Sequence, residues 1–344
     1  VLARAETRRV VANMESFGTD ETVDPYTIFA ERFYLALISP SKYRVQDWLI
    51  SVPGSKLRSD IEPPHGHWIL AGVGRFGSRM THKMEEAEVP FTVIDVHPDR
   101  VARRPGSVPG RGTEAATLKQ AGIKDAVGIV AGTGDDVDNL SIVMTALELN
   151  PKLFVVARQE NPQNDALFDK SRADLVARRS LIVARRILAV ATTPLLPVFN
   201  DHLIHEDEKF ADRVEHRLGK ILNGTSPALW TIELEAPLAI GLDAARREGA
   251  AVQLKHICIN SRSPEPEDLP CVCLILERGG RRMFLPDPAT ELMQDDRLLF
   301  AGRGYAHREM LFSLHEPASL VGVVTGRVQP RGAIMRSWAR RRVD

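Results

Sequence analysis

Residues 69–80 read Ile-Leu-Ala-Gly-Val-Gly-Arg-Phe-Gly-Ser-Arg-Met, and the glycines at 72, 74 and 77 have the spacing G-x-G-x-x-G. Glycines also serve turns and tight packing, so the flanks decide what this loop is for. An apolar run, Trp68–Ala71, precedes it, and a helical pattern follows over 76–88. A glycine turn between strand and helix aims backbone N–H groups and the positive end of the helix dipole at one point, where a diphosphate fits. Gly72 is expected to permit the turn, Gly74 to clear the phosphates, and Gly77 to let helix and strand approach closely. Val73 and Phe76 complete the loop, and Arg75 adds a cation at its edge.

The alternation continues downstream. Apolar runs Phe91–Ile94, Val127–Ala131 and Leu153–Ala157 are separated by helical stretches near 114–121 and 137–149. The runs are apolar throughout, as strands are when helices cover both sheet faces, so the pattern predicts a Rossmann-like parallel α/β sheet. The second run ends in Thr92-Val-Ile-Asp95, which puts a carboxylate 18 positions after Gly77. There, with Val96 beside it, Asp95 would meet a ribose diol and repel a 2′-phosphate, so NAD, ADP or ATP is expected over NADP. His97 softens that repulsion without reversing it. Gly110-Arg-Gly112-Thr113-Glu114 and Thr133…Asp136…Asn139 lie in loops facing the same crevice and are expected to complete the pocket. Asp135, Asp136 and Asn139 also suit a helix N-terminus, and both roles can hold at once.

At 344 residues with 44% hydrophobic content, the chain is long for one domain and comfortable for two. Lys plus Arg (45) balance Asp plus Glu (45), so no overall field draws it to nucleic acid or an anionic membrane. Three cysteines (Cys258, Cys271, Cys273) are too few for a disulfide framework and suit a reducing setting. Cys271-x-Cys273 places two side chains on one face of a strand. No apolar stretch reaches ~18 residues, and no signal-peptide pattern opens the chain. It starts on Val1, which fits removal of something upstream.

Beyond the sheet, Leu181–Leu188 and Leu195–Phe199 keep helical spacing, broken by Pro194 and Pro197. Past Asn223-Gly224 the runs Leu229–Leu234, Val252–Ile259, Cys271–Leu276, Met283–Leu285 and Arg297–Ala301 read as short strands of a smaller β-rich α+β lobe. The first sixty residues hold a helix, Pro25–Leu37, without a glycine loop of their own. The expected division is therefore 1–60, 61–195, 196–226, 227–316 and a tail, 317–344. The basic segment Arg336-Ser-Trp-Ala-Arg-Arg-Arg342 reads as solvated, with Trp338 offering an alternative contact with anionic lipid.

Gly72-Val-Gly-Arg-Phe-Gly77, the Asp95 strand end, Gly112-Thr113-Glu114 with Leu118…Ala121-Gly-Ile123, Thr133…Asp136…Asn139, Asn150-Pro151 and Val155-Val-Ala-Arg158 closely resemble the RCK domain. This family of regulators of potassium conductance is also called KTN or TrkA-N, and the likeness runs through about residues 66–195. One departure is Gly-Thr-Glu at 112–114, where the family often has Gly-Asp-Ala-Thr. Met283–Pro286 and Leu292–Gly302 resemble the RCK C-terminal lobe. Val23-Asp-Pro25…Phe29-Ala30 and Trp48-Leu-Ile50 resemble the end of a preceding RCK unit. The resemblance implies a cytoplasmic ligand-sensing gating-ring domain at the inner face of the cell membrane, with NAD(H) or ADP/ATP as its regulatory ligand. It implies homo-oligomers, dimers or eight-domain rings, paired through crossover helices near Ser180–Leu196. It also implies a potassium-channel or transporter membrane subunit as partner, in the same full-length chain or separate. Some members take a divalent cation; none is expected here.

The main alternative is a soluble NAD-dependent oxidoreductase, which shares the loop and Asp95 but needs a positioned acid or base. His65, His67, His82, His97, His307 and His315 are scattered and read as surface or packing residues. His202-x-x-His205-Glu-Asp-Glu208 has a spacing that suits a cation, yet reads better as a solvated acidic turn, as does Asp295-Asp296. Arg178-Arg179 and Arg185-Arg186 flank an apolar helix face, and no nucleic-acid partner is expected.

Overall fold

Asp24 starts the helix Pro25–Ile38: its side chain accepts from the Tyr26 N–H, and Pro25 occupies a first-turn position where a missing N–H costs nothing. Two three-residue strands, β1 (Leu2–Arg4) and β2 (Glu21–Val23), pair in parallel ahead of it. The computed structural model describes residues 2–4, 21–57, 61–102, 104, 106–235, 239–263 and 267–326. They fall into two units, Val1–Tyr43 with Ser59–Leu188, and Arg44–Arg58 with Ala189–Asp344.

The first unit is a six-stranded parallel sheet. Its strands are β3 (Trp68–Ala71), β4 (Phe91–Asp95), β5 (Val108–Pro109), β6 (Gly128–Ala131), β7 (Phe154–Gln159) and β8 (Leu175–Arg178), in the order β5-β4-β3-β6-β7-β8. This is the doubly wound Rossmann order, whose direction of winding reverses between β3 and β6. Both central strands are buried at every position. Phe33, Phe76 and Met80 cover one face and Leu118, Ile142 and Phe168 the other, which is why their sequences are apolar without alternation. The edge strands β5 and β8 escape that pattern. β5 is two residues long and ends in a proline, and β8 alternates buried with half-buried positions.

The described residues of 21–57 divide between the two units. Tyr26, Phe29, Phe33 and Leu37 enter the sheet's core with Trp68 and Phe76, whereas Val45, Trp48 and Leu49 join Leu196, Phe199 and Val214 in the second unit. Two apolar faces on adjacent helices thus serve two cores.

The second unit holds an antiparallel sheet, β9 (Ala228–Glu233), β10 (Cys271–Arg278), β11 (Arg281–Phe284) and β12 (Arg297–Gly302), ordered β11-β10-β12-β9. Trp230, Leu276 and Phe300 pack with Leu242, Met310 and Leu320 from helices Ile240–Arg247, Gly304–His315 and Pro317–Thr325. Leu274 and Leu299 pack with Phe199, Val214 and Leu218 from Leu195–His205 and Glu208–Leu222. Cys271 and Cys273 both meet the first of these cores, so they do share a face. All three cysteines are free, and the hydrogen bond with Cys258, then burial, push the Cys271 thiol upward.

Two expectations are corrected here. Val252–Ile259 is not a strand; Leu254–Ile257 is a short helix, started by a reciprocal cap between Gln253 and His256 that competes with extended pairing. Residues 317–325 are not tail but helix, with Leu320 and Val321 buried in the core. The basic segment 336–342 lies outside the described residues. Among the described residues, no single helix is long and apolar enough to cross a membrane.

Candidate functional site

At the end of β3, Gly72 turns the chain with φ of 92°, in the region that favours glycine, and an added Cβ would stand 2.9 Å from the Thr133 nitrogen. Gly74 caps the helix Arg75–Glu86, and a Cβ placed there would meet nothing within 4 Å. That open space adjoins the N–H groups of the first helical turn and the positive end of the helix dipole, a setting that favours an anion. At Gly77 an added Cβ would lie 2.0 Å from the Gly72 carbonyl oxygen, so the first helical turn rests directly on the strand end.

Asp95 closes β4 and is 5% exposed. Its Oδ2 accepts from the Val73 N–H at 2.8 Å and its Oδ1 from the His97 N–H at 2.9 Å, while Arg100 Nη1 stands 3.6 Å from Oδ2. One carboxylate therefore fastens the glycine loop to the neighbouring strand. Across the switch point Asn139 does the same for the β6 loop. Its Oδ1 accepts from the Thr133 N–H at 2.9 Å, and its Nδ2 donates to the Thr133 and Arg158 carbonyls at 3.2 and 2.9 Å.

Between these two fastenings lies a cleft of about 210 Å³, at the carboxyl ends of the strands. Of the residues expected from sequence, Gly72, Gly74, Asp95, Val96, Gly112, Thr113 and Thr133 line it. Six others do not. Val73 gives its N–H to Asp95, and Phe76 is buried against Tyr26 and Phe29 at ring separations of 5.9 and 5.6 Å. The Arg75 guanidinium lies 6.0 Å over the Tyr26 ring, and Gly77 is spent on packing. Glu114 precedes the helix Ala115–Gln120 and accepts from Thr117 Oγ1. Asp136 accepts from the Glu160 and Asn161 N–H groups at 2.7 and 3.0 Å and from Asn164 Nδ2 at 2.8 Å, so it holds the loop leaving β7. Asp135 is the cap of the helix Asp136–Leu149.

The lining also includes Ile94, His97, Arg100, Gly110, Arg111, Gly132, Gly134, Asp138 and Ile142. Arg111 sits in the turn after β5, inside the loop 110–114 that the sequence already places at the crevice; β5 itself is too short to register as an apolar run. Elsewhere, the acidic turn after the helix Leu195–His205 is spent on packing and capping. His202 stacks on Phe284 at 3.5 Å and pairs with Glu206 at 3.3 Å, and Asp207 accepts from the Phe210 N–H at 2.9 Å. Among the described residues no group of three His, Cys, Asp or Glu side chains is placed to hold a metal ion.

The TrkA-N domain family matches residues 68–178, from the first residue of β3 to the last of β8. An uncharacterized protein of Methanothermus fervidus is 33% identical over 151 residues, covering 42% of this chain and 24% of that protein. Probable potassium channel protein 2 of Methanocaldococcus jannaschii is 28% identical over 223 residues, 62% of each chain. The matches thus span less than two thirds of either relative's length. Among solved structures, the GsuK RCK domain aligns over 91% of this chain and 74% of its own, with 16% identity and a TM-score of 0.45. A glycine loop opening the helix after the first of six parallel strands and the family match over those same six strands agree: residues 68–178 of this chain form a TrkA-N domain.

Proposed function

We propose that the chain is a regulatory domain of a potassium-transport protein, and that its cleft binds an adenine nucleotide, NAD(H), ADP or ATP, as a signal rather than a reactant. The open space at Gly74 carries the nucleotide part of this reading: it adjoins a helix N-terminus, with Asp95 on the neighbouring strand end. Each carboxylate oxygen of Asp95 accepts one backbone N–H and keeps further lone-pair capacity for a ribose hydroxyl. The potassium part rests on a relative named as a probable potassium channel protein.

Assembly into homo-oligomers at the inner face of the membrane belongs to the same reading. The helix Arg179–Thr192 buries none of its residues, and Leu181, Ile187 and Leu188 are 37%, 42% and 62% exposed, an apolar side suited to a second copy. A ligand would then act on a pore, in the same polypeptide or on a separate subunit, only through its difference in affinity for two states of the assembly.

Thermal-shift measurements with NAD, NADH, ADP and ATP test this reading. At least one should raise the midpoint, since ligand at about 100 times its Kd adds roughly 2.7 kcal/mol, and Asp95→Ala should blunt the response. No response to any nucleotide would remove the reading. Steady NADH oxidation with a panel of keto acids would replace it with an oxidoreductase.

A further inference from the structure

A dinucleotide lies across both halves of a doubly wound sheet, with one nucleoside on each side of the point where the winding reverses. In this chain one half is β3, β4 and β5, and the other is β6, β7 and β8. The cleft is lined by the strand ends at Gly72, Asp95, Gly110 and Gly132. Among the described residues its lining stops at Ile142, so it takes nothing from the ends of β7 or β8. Its volume of about 210 Å³ is also below the roughly 300 to 1,000 Å³ of sites that enclose a drug-sized ligand.

Side chains close the β7 side. Phe76 covers the end of β6, where a Cβ added at Gly132 would stand 3.0 Å from the Phe76 ring. Tyr26, in the first turn of the helix Pro25–Ile38, sets its ring 5.9 Å from Phe76, with the Arg158 guanidinium at the end of β7 4.7 Å over it. Arg158 Nη2 donates to the Tyr26 hydroxyl at 2.7 Å, and that hydroxyl donates to Glu160 Oε1 at 3.1 Å. Glu160 Oε1 also accepts from Arg158 Nε at 2.6 Å, and its Oε2 pairs with Arg179 at 2.6 Å. Asp136 meanwhile ties the backbone of Glu160 and Asn161 to the start of the helix Asp136–Leu149. Tyr26 and Arg158 are 3% and 6% exposed, so room for a second sugar could come only from breaking the bonds among Tyr26, Arg158 and Glu160. A charged pair left buried and unpaired in this way is costly.

We infer that the cleft takes a single adenine nucleoside with its phosphates, as in ADP or ATP, and rejects a dinucleotide such as NAD(H), with Tyr26 as the specificity-determining residue that stops the second nucleoside. This rests on the nucleotide reading above and narrows it. Asp95 keeps its place beside the ribose hydroxyls of the one nucleoside bound.

ADP-ribose and the methyl ester of ADP on its terminal phosphate carry the same charge and differ in whether a sugar or a methyl follows the diphosphate. Calorimetric titration of the full chain with both therefore isolates the second sugar. The methyl ester should bind about tenfold tighter or more, and NAD should bind no tighter than ADP-ribose. Tyr26→Ala should shrink that gap to about threefold or less while leaving the methyl ester within about twofold, and Tyr26→Phe, which keeps the ring, should preserve the gap. ADP-ribose or NAD binding the wild-type chain as tightly as the methyl ester overturns the inference while leaving the nucleotide reading intact, as does an unchanged gap in a folded Tyr26→Ala protein. Binding of none of these ligands, nor of ADP or ATP, overturns both.

Discussion

Asp95 in the parallel-sheet unit and Asp296 in the antiparallel one are both buried carboxylates beside an arginine, yet one borders an open site and the other is a closed joint. Asp296 is 0% exposed; Arg278 grips it with Nε and Nη2 at 2.7 Å each, and the Met293 N–H adds a third bond at 2.8 Å. Arg278 also donates to the Glu291 carbonyl at 2.7 Å, so both partners are largely occupied. Asp95 is held by backbone instead, and its arginine hangs at 3.6 Å on the rim of a cleft. The same residue pair is a closed joint where a bidentate grip uses the donors, and stays open to the cleft where the backbone satisfies the acid and the guanidinium stands off at 3.6 Å.

The largest effect on this contrast should come from Gly77→Ala, which forces a methyl to 2.0 Å from the Gly72 carbonyl oxygen. Backbone must move, so stability should fall by about 3 kcal/mol in urea unfolding, and nucleotide binding should go with it. Asp296→Ala should come next, at about 2 kcal/mol, because it leaves the Met293 N–H without its acceptor and Arg278 without its bidentate partner. Nucleotide binding in the cleft should survive that change; its loss would end the distinction between a structural joint and the proposed site.

A smaller effect is expected from acidification of the antiparallel unit. His307 stacks on Trp230 at 5.3 Å, and burial lowers its pKa below the usual 6.5. A base whose folded pKa is lowered contributes stability that is present above the unfolded value and lost as pH falls through the folded one. The urea midpoint should therefore drop as pH falls below the unfolded value of 6.5, and His307→Gln should make the drop shallower. His256 moves in the same direction, through burial and then Lys255, so some slope should remain.

Much of the fold was legible in the sequence, because buried parallel strands must be apolar on both faces; Trp68–Ala71 and Val127–Ala131 could hardly be anything else. β5 and β8 were not legible, since edge strands are short and need no such run. Nor was the split of the first sixty residues, because Phe33 and Trp48 are equally apolar and only three-dimensional packing says which core each enters. The glycine turn and the position of Asp95 at the end of β4 were readable because backbone geometry demands those residue types at those spacings. The Asp136 bonds to the loop after β7 were not legible, because an acid at a helix start suits a nearby loop as readily as a ligand, and here it accepts the Glu160 and Asn161 N–H groups. Arg100 carries no spacing rule, and its place in the cleft comes only from where β4 ends; Arg111 lies in a loop the sequence had already placed there, although its own side chain was not singled out.

The most direct test of the proposed nucleotide site is calorimetry with the adenine nucleotide that gives the largest thermal shift, on wild type and Gly74→Val. Gly74 has an ordinary φ of −67° and nothing within 4 Å of an added Cβ, so the substitution should leave the unfolding free energy within about 0.5 kcal/mol. It should nonetheless fill the space at the helix N-terminus and weaken binding by about thirtyfold or more, on the scale of about 2 kcal/mol. A stable Gly74→Val protein that binds the nucleotide as tightly as wild type would contradict a phosphate at this loop.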